Sequence, residues 1–319
     1  MKKILLTGAS GFLGQRIARY LENSAENQLS LAFRKKNFLA KGKHFCTGDI
    51  NNSTDFSAAL LGQDIVIHTA ARVHIMRENL SESLPKFWMI NVEGTLNLAR
   101  QAVKAGVKRF IFISSIKVNG ELTTGLNIFS EHDTPNPQDP YGLSKYEAEQ
   151  GLLDIANSSD MEIVIIRPPL IYGPGVKGNF ATLIKFVRFG FPLPLGLVDN
   201  RRSLVSLDNL VDLIVTCIDH PNARNQIFLV SDRQDVSSLE LVKKIAKAFG
   251  TKSRTFPIPV ALMMIAAKLI GKDVIADRLF CDLRVDSSKA EKLLEWAPIF
   301  SMDEQLKEIA AFEKLDINK

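Results

Sequence analysis

The chain has 319 residues, 46% of them apolar and 24% charged, with a formal net charge of +5 at neutral pH. That length suits one large α/β domain with a smaller satellite, and the even mixture excludes a disordered, collagen-like or coiled-coil protein. The basic excess is scattered in pairs and triplets, which argues against nucleic-acid binding but leaves enough charge for a pocket that takes a phosphorylated small molecule.

In chain order, short aliphatic runs alternate with longer amphipathic stretches, the pattern of a doubly wound parallel sheet. Strands are expected at Lys3–Thr7, Leu29–Phe33, His44–Thr47, Ile65–Thr69, Arg109–Ser114 and Glu162–Arg167. Helices are expected between them, at Phe12–Asn23, Ser53–Leu61, Pro85–Ala105 and Pro140–Asn157. Runs such as Ile65-Val66-Ile67 and Phe110-Ile111-Phe112-Ile113 are uniformly apolar, so these strands should be covered on both faces.

After Arg167 the pattern changes. Pro168-Pro169, Gly173-Pro174-Gly175 and Pro192-Leu193-Pro194 punctuate a loop-rich region with a helix at Asn179–Phe189. A helix near Asn209–Asp219 and a strand at Gln226–Val230 follow. Further helices are expected near Ser238–Phe249, Val260–Ile270, Ser287–Leu294 and Met302–Lys314. The expected division is a Rossmann-like domain over 1–168 and a smaller mixed α/β substrate domain over 169–319, which can interleave. No repeat or low-complexity tract is visible.

Cys46, Cys217 and Cys281 are far apart, with no pairing that suits zinc, so buried reduced thiols and no metal are expected. The Met-Lys-Lys start runs straight into a strand pattern without the apolar stretch of a signal peptide, so a cytoplasmic location is expected. Val260–Ile270 is about half the length of a membrane span and contains Lys268. A core or interface helix is the expected use, with a membrane surface as the lesser alternative.

Thr7-Gly8-Ala9-Ser10-Gly11-Phe12-Leu13-Gly14 joins the first strand to the first helix. Gly8 permits a tight turn, Gly11 lets the backbone approach a pyrophosphate, and Gly14 lets helix and strand pack closely, with the helix amino end facing the anion. About twenty residues on, an NAD-preferring fold offers an acid for the ribose 2′-hydroxyl. Here Arg34-Lys35-Lys36 stands instead, and Arg34 can fork onto a 2′-phosphate. NADP(H) is therefore favoured, with NAD(H) as the alternative.

Tyr141 and Lys145 are four apart on an expected helix and so share a face. A nearby ammonium and an oxidised nicotinamide favour the phenolate, which makes Tyr141 a proton acceptor or donor for a sugar hydroxyl or carbonyl. Lys145 would also hold the nicotinamide ribose. Ser115, with Ser114 as second choice, ends a strand where a hydroxyl can bond the reacting oxygen.

These residues, with Gly48-Asp49-Ile50, His68-Thr69-Ala70-Ala71, Asn91-Val92-Glu93-Gly94-Thr95 and Arg167-Pro168, resemble the extended short-chain dehydrogenase/reductase superfamily, in its nucleotide-sugar epimerase/dehydratase branch. The resemblance spans nearly the whole chain. It implies that Asp49 and Ile50 border the adenine and that Thr69, Ala70 and Ala71 line the diphosphate side. It also implies that Asn91 supports the active-site strand, while Ser10, Phe12, Leu13, Ser114 and Pro168 complete the cofactor site. Gly178-Asn179-Phe180 resembles the segment whose Asn contacts the sugar diphosphate. Arg202-Ser203-Leu204-Val205 resembles the segment whose Arg clamps a phosphate, and Arg278 is a second candidate clamp. The resemblance further implies a homodimer through residues 85–105 and 140–157.

The segments 112–121 and 167–179 resemble a subgroup found with bacterial surface-polysaccharide (O-antigen) enzymes. That subgroup holds both UDP-glucose 4-epimerase-like proteins and 4-keto-reductases forming UDP-N-acetylquinovosamine. Dehydratases of the branch carry an acid pair where this chain has Ile116 and Lys117, so dehydration is not expected. The basic triplet at 34–36 tips the expectation towards reduction of a UDP-4-ketosugar by NADPH. A UDP-hexose 4-epimerase with bound NAD is the alternative, and a silent cofactor-binding protein the remote one.

Overall fold

The computed structural model describes residues 1–34, 41–73 and 80–317. The first half runs β1 (Lys2–Thr7), α1 (Phe12–Glu22), β2 (Asn27–Phe33), β3 (Lys43–Cys46), α2 (Ser57–Leu60) and β4 (Ile65–His68). It continues through α3 (Leu80–Phe87), a π-helical stretch (Trp88–Gly94), α4 (Thr95–Lys104), β5 (Arg109–Ile113), α5 (Pro140–Asn157) and β6 (Glu162–Arg167). The second half holds β7 (Leu170–Tyr172), α6 (Gly178–Arg188), β8 (Leu204–Ser206), α7 (Leu207–Asp219), β9 (Gln226–Leu229) and α8 (Ser238–Phe249). It ends with α9 (Val260–Leu269), α10 (Asp273–Phe280), α11 (Ser288–Leu294) and α12 (Met302–Ile317).

Seven parallel strands form one sheet in the order β3-β2-β1-β4-β5-β6-β9. The strand order reverses between β1 and β4, the place where such sheets open a crevice at their carboxyl ends. Alternation along β5 shows how the apolar runs are used. Ile111 and Ile113 pack on the face that carries α1 and α7, while Phe110 and Phe112 pack on the face that carries α4 and α5. Every residue of β4 and β5 is buried.

The chain crosses the boundary at residue 168 more than once. β9 supplies the seventh strand, and α7 shares the apolar layer of α1. The rest of the second half builds its own core from α6, α8 and α12 around Tyr172.

Several expectations need correction. The helix at 53–61 shrinks to the single turn α2. The helix at 85–105 is not continuous: a π-helical stretch separates α3 from α4, turning Asn91 inward and setting Gly94 against Ile50. β7, β8 and α10 were not expected; the two strands have only three residues each, too few to show a period. Of the thiols only Cys217 is buried, its pKa pushed up to about 12 by that burial, whereas Cys46 is exposed and Cys281 is half-buried. None of the residues of α9 is buried, so it is not a core helix.

Candidate active site

At the end of β1, Gly8 has φ +72°, and a Cβ there would lie 2.6 Å from the amide of Ala70. A Cβ on Gly14 would collide with the carbonyl oxygen of Gly8. Loop, helix and β4 therefore approach as closely as backbone allows. Gly11 begins α1 without any side-chain cap, which leaves first-turn amides of Phe12, Leu13 and Gly14 open to an anion. These features fit a dinucleotide diphosphate, with Ser10 held beside it by Gln15 Nε2 donating to its carbonyl at 2.8 Å.

Arg34 follows β2 and is exposed, with Nη1 3.6 Å from Asp49 Oδ1. Lys35 and Lys36 lie outside the described residues. Thr69 Oγ1 donates to the carbonyl of Thr7 at 2.7 Å, fixing the half-buried Thr69-Ala70-Ala71 beside the glycine loop. Asn91 does not bear on the active-site strand. Its amide group bonds both backbone groups of Arg72 (2.8 and 3.0 Å) and donates to Ser144 Oγ at 2.9 Å, tying the segment after β4 to α5.

Asp139 caps α5 in extended conformation, accepting the Gly142 amide at 2.6 Å, and Pro140 supplies the preset first helical φ. Lys117 pairs with Glu121 at 2.7 Å and with Asp139. Burial alone would raise the Asp139 pKa, but the bonds from Lys117 and the Gly142 amide hold it below the usual range. A Cβ on Gly142 would lie 2.8 Å from the carbonyl of Lys117, so the first turn of α5 packs directly on the turn that begins at Ser115. The turn after Ser115 and the first turn of α5, which carries Tyr141, are thus held together. Ser115 is half-buried, and its Oγ accepts the Lys117 amide at 3.3 Å, which leaves the hydroxyl hydrogen for another acceptor.

Lys145 lies one turn below, 2% exposed, donating to the carbonyl of Ile113 at 2.8 Å and standing 4.4 Å over the Phe112 ring. Burial lowers its pKa to about 7, against the opposing pull of Glu149. Tyr141 moves the other way. Burial and the Asp139 carboxylate raise its pKa above 10, so the lowering expected from Lys145 is not what the protein alone produces.

A buried network under this site escaped the sequence reading. Glu149, 0% exposed, takes a fork from Arg167 (3.0 Å from Nε and 2.5 Å from Nη2) and a hydrogen bond from Ser114 Oγ. Arg167 Nη1 also donates to Asn119 Oδ1 at 2.9 Å. Ser114 is therefore buried and engaged, which separates it from Ser115. A carboxylate four residues after Lys145 and an arginine ending a buried strand were the available signals. Pro168 closes this layer, its carbonyl accepting the Ile116 amide at 3.0 Å.

The expected substrate residues come from three segments. Asn179 is exposed in the first turn of α6. Arg202 is half-buried, with Nη1 donating to the Cys281 carbonyl at 2.9 Å. Burial pulls its pKa down most, and the neighbouring charge of Arg278 on α10 adds to that. Neither arginine has a carboxylate at ion-pair distance among the described residues, and Asp282 acts on Arg202 from further off. Glu121 stands near enough to act on Arg202, linking that arginine to the Lys117–Asp139 cluster.

A family model described as the NAD dependent epimerase/dehydratase family matches residues 4–231. The chain belongs to that family. It is 48% identical over 310 residues to a protein of Vibrio cholerae named UDP-glucose 4-epimerase, covering 97% of this chain and 94% of that one. It is 30% identical over 286 residues to the N-acetyl-alpha-D-glucosaminyl-diphospho-ditrans,octacis-undecaprenol 4-epimerase of Escherichia coli O157:H7, covering 84% and 81%. Among solved structures, a UDP-glucuronic acid 4-epimerase from Bacillus cereus, in complex with UDP-glucuronic acid and NAD, superposes with a TM-score of 0.77 at 21% identity, over 98% of this chain and 99% of that one. The Rossmann-like fold of the family is thus the fold of this chain.

Proposed function

We propose that this enzyme is a 4-epimerase of a UDP-linked hexose or N-acetylhexosamine, working with bound NAD. The observation that carries the reading is the 48% identity to a protein named for that reaction, over nearly the whole of both chains. The ranking differs from the one the sequence alone favoured. Arg34 was the main ground for NADPH, and it stands at the cofactor end beside Asp49, whose carboxylate would repel a 2′-phosphate.

A bound nicotinamide supplies the hydride acceptor and donor at C4 of the sugar. Tyr141 takes the C4 hydroxyl proton as the carbon is oxidised and returns it when the ketone is reduced on its other face. Ser115 donates its free hydroxyl hydrogen to the same oxygen in the ketone state. Lys145 sits below with its pKa near 7, so its proton is exchangeable at working pH. Arg202, Arg278 and Asn179 grip the diphosphate while the sugar turns. No carboxylate follows Ser115 to eliminate water.

Reduction of a UDP-4-ketosugar by NADPH is the second reading, favoured by the exposed position of Arg34. Titration of nucleotide-stripped protein with NADH and NADPH, joined to assays of UDP-glucose and UDP-N-acetylglucosamine interconversion, separates the two. Epimer formation by protein that retains its own nucleotide, with no cofactor added, supports the epimerase. Preference for NADPH with no epimer formed supports the reductase. A homodimer through residues 85–105 and 140–157, where Met89 and Leu143 are exposed, belongs to the same proposal.

A further inference from the structure

The most apolar helix of the protein is turned inside out. α9 rests on the second-half core through Val260 and Met263, with Met264 and Ala267 also half-buried on that side. Its outward face carries Leu262 (59% exposed), Ile265 (59%) and Leu269 (82%). Those residues recur at helical spacing, so they form a stripe and not a scatter.

The stripe continues onto a loop stitched beside it. Leu193 donates its amide to the Arg254 carbonyl at 2.8 Å and accepts the Phe256 amide at 3.0 Å; the Gly196 amide bonds the Phe256 carbonyl at 3.1 Å. This brings exposed Phe189 and Phe191 alongside exposed Phe256 at the entrance to α9. A surface of this kind on a water-soluble face marks a docking site.

The charge around it identifies the occupant. Residues 251–272 contain Lys252, Arg254, Lys268 and Lys272 and no Asp or Glu. Residues 177–197 contain Lys177, Lys185 and Arg188, again with no Asp or Glu. The chain as a whole has 40 basic and 35 acidic residues, so these two segments are more basic than the average, with Asp199 and Asp273 standing just beyond them. Among the described residues, Arg188 alone of these is matched by a carboxylate, Glu313 at 2.6 Å. A second copy of the same surface would bring like charges together, whereas an anionic surface is complementary. No helix among the described residues is long and apolar enough to cross a membrane, so the contact would lie in the plane of the interface.

We propose that the outer face of α9, with the 189–191 loop and Phe256, seats the protein on an anionic phospholipid bilayer. The apolar stripe enters the headgroup layer and the surrounding lysines and arginines meet lipid phosphates. α10, which carries Arg278, follows α9 directly and packs against it. The docking itself does not depend on which sugar reaction the enzyme performs.

The test is flotation of the full-length protein with vesicles of phosphatidylcholine alone or with added phosphatidylglycerol. Binding to the anionic vesicles, weak binding to the neutral ones, and loss under high salt are expected. The variant L262S/I265S/L269S should bind at least tenfold less, as should K268E/K272E, with thermal unfolding and turnover of a soluble UDP-sugar unchanged. Two results overturn the proposal. One is failure of the wild type to float with anionic vesicles. The other is a wild-type oligomer that L262S/I265S/L269S converts to monomer in the absence of lipid, which assigns the face to a second copy.

Discussion

At the sheet end of the cleft, Lys145, Ser114, Glu149 and Arg167 are buried and bonded to one another or to β5. At the far end, Arg202, Arg278 and Asn179 come from separate segments and stand partly or wholly in solvent. Under the proposed function, the difference follows from what each end must do. Proton and hydride transfer to one carbon tolerate only small displacements, so the groups concerned need a rigid support. Holding a diphosphate would need only cations in reach, which two arginines can supply. The first end should therefore govern rate and stability, and the second should govern affinity.

The largest expected effect is at Tyr141. Tyr141→Phe removes the group that moves the proton and should lower turnover by about 10²–10⁴-fold, while NAD binding and unfolding temperature stay as in the wild type. A variant that keeps its turnover would remove Tyr141 from the chemistry and leave the sheet end a mere scaffold.

Next comes the support itself. Glu149→Ala leaves Arg167 charged, buried and without its fork, which should cost about 3–5 kcal/mol in denaturant unfolding. Arg202→Ala should cost less and show elsewhere: KM for the UDP-sugar up by about 10–100-fold, with turnover of bound substrate near the wild-type value. If Arg202→Ala instead lowered turnover and spared KM, the two ends would not be separable in this way.

The same division explains what could be read in advance. The glycine loop, Tyr141/Lys145 and Ser114-Ser115 are contiguous motifs on regular elements, and the bounds of β6, α5 and α8 came out to the residue. Their support did not show, because Glu149, Arg167 and Asn119 are joined only by folding. In the protein alone the Tyr141 pKa is raised for a related reason: burial raises it first and the capping Asp139 carboxylate adds to that, while Lys145 lies beneath, bonded to the Ile113 carbonyl. At the far end, Arg202 and Arg278 are joined through the 281–285 segment that threads between Arg202 and Thr123, a crossing that leaves no period in sequence.

A last expected effect, spread over several pH units, tests the burial of the sheet end directly. His68 in β4 is fully buried between Thr7 Oγ1 (2.6 Å) and Thr95 Oγ1 (3.0 Å), stacked near Phe112. Burial, aided by the charge of Lys145, lowers its pKa from 6.5 to about 3. Between those two values the unfolded chain binds a proton that the folded chain refuses. The stability His68 contributes as a neutral ring is thus complete above pH 6.5 and is lost as pH falls towards 3, by at most about 1.4 kcal/mol per pH unit. Lys145 has the same sign in a separate window. Its folded pKa of about 7 lies below the ordinary 10.5, so stability rises with pH between them. Unfolding curves across pH should show both slopes, with His68→Gln flattening only the acid one and Lys145→Met only the alkaline one. An acid slope that survives His68→Gln would place the titrating group elsewhere and show that β4 admits water at its carboxyl end.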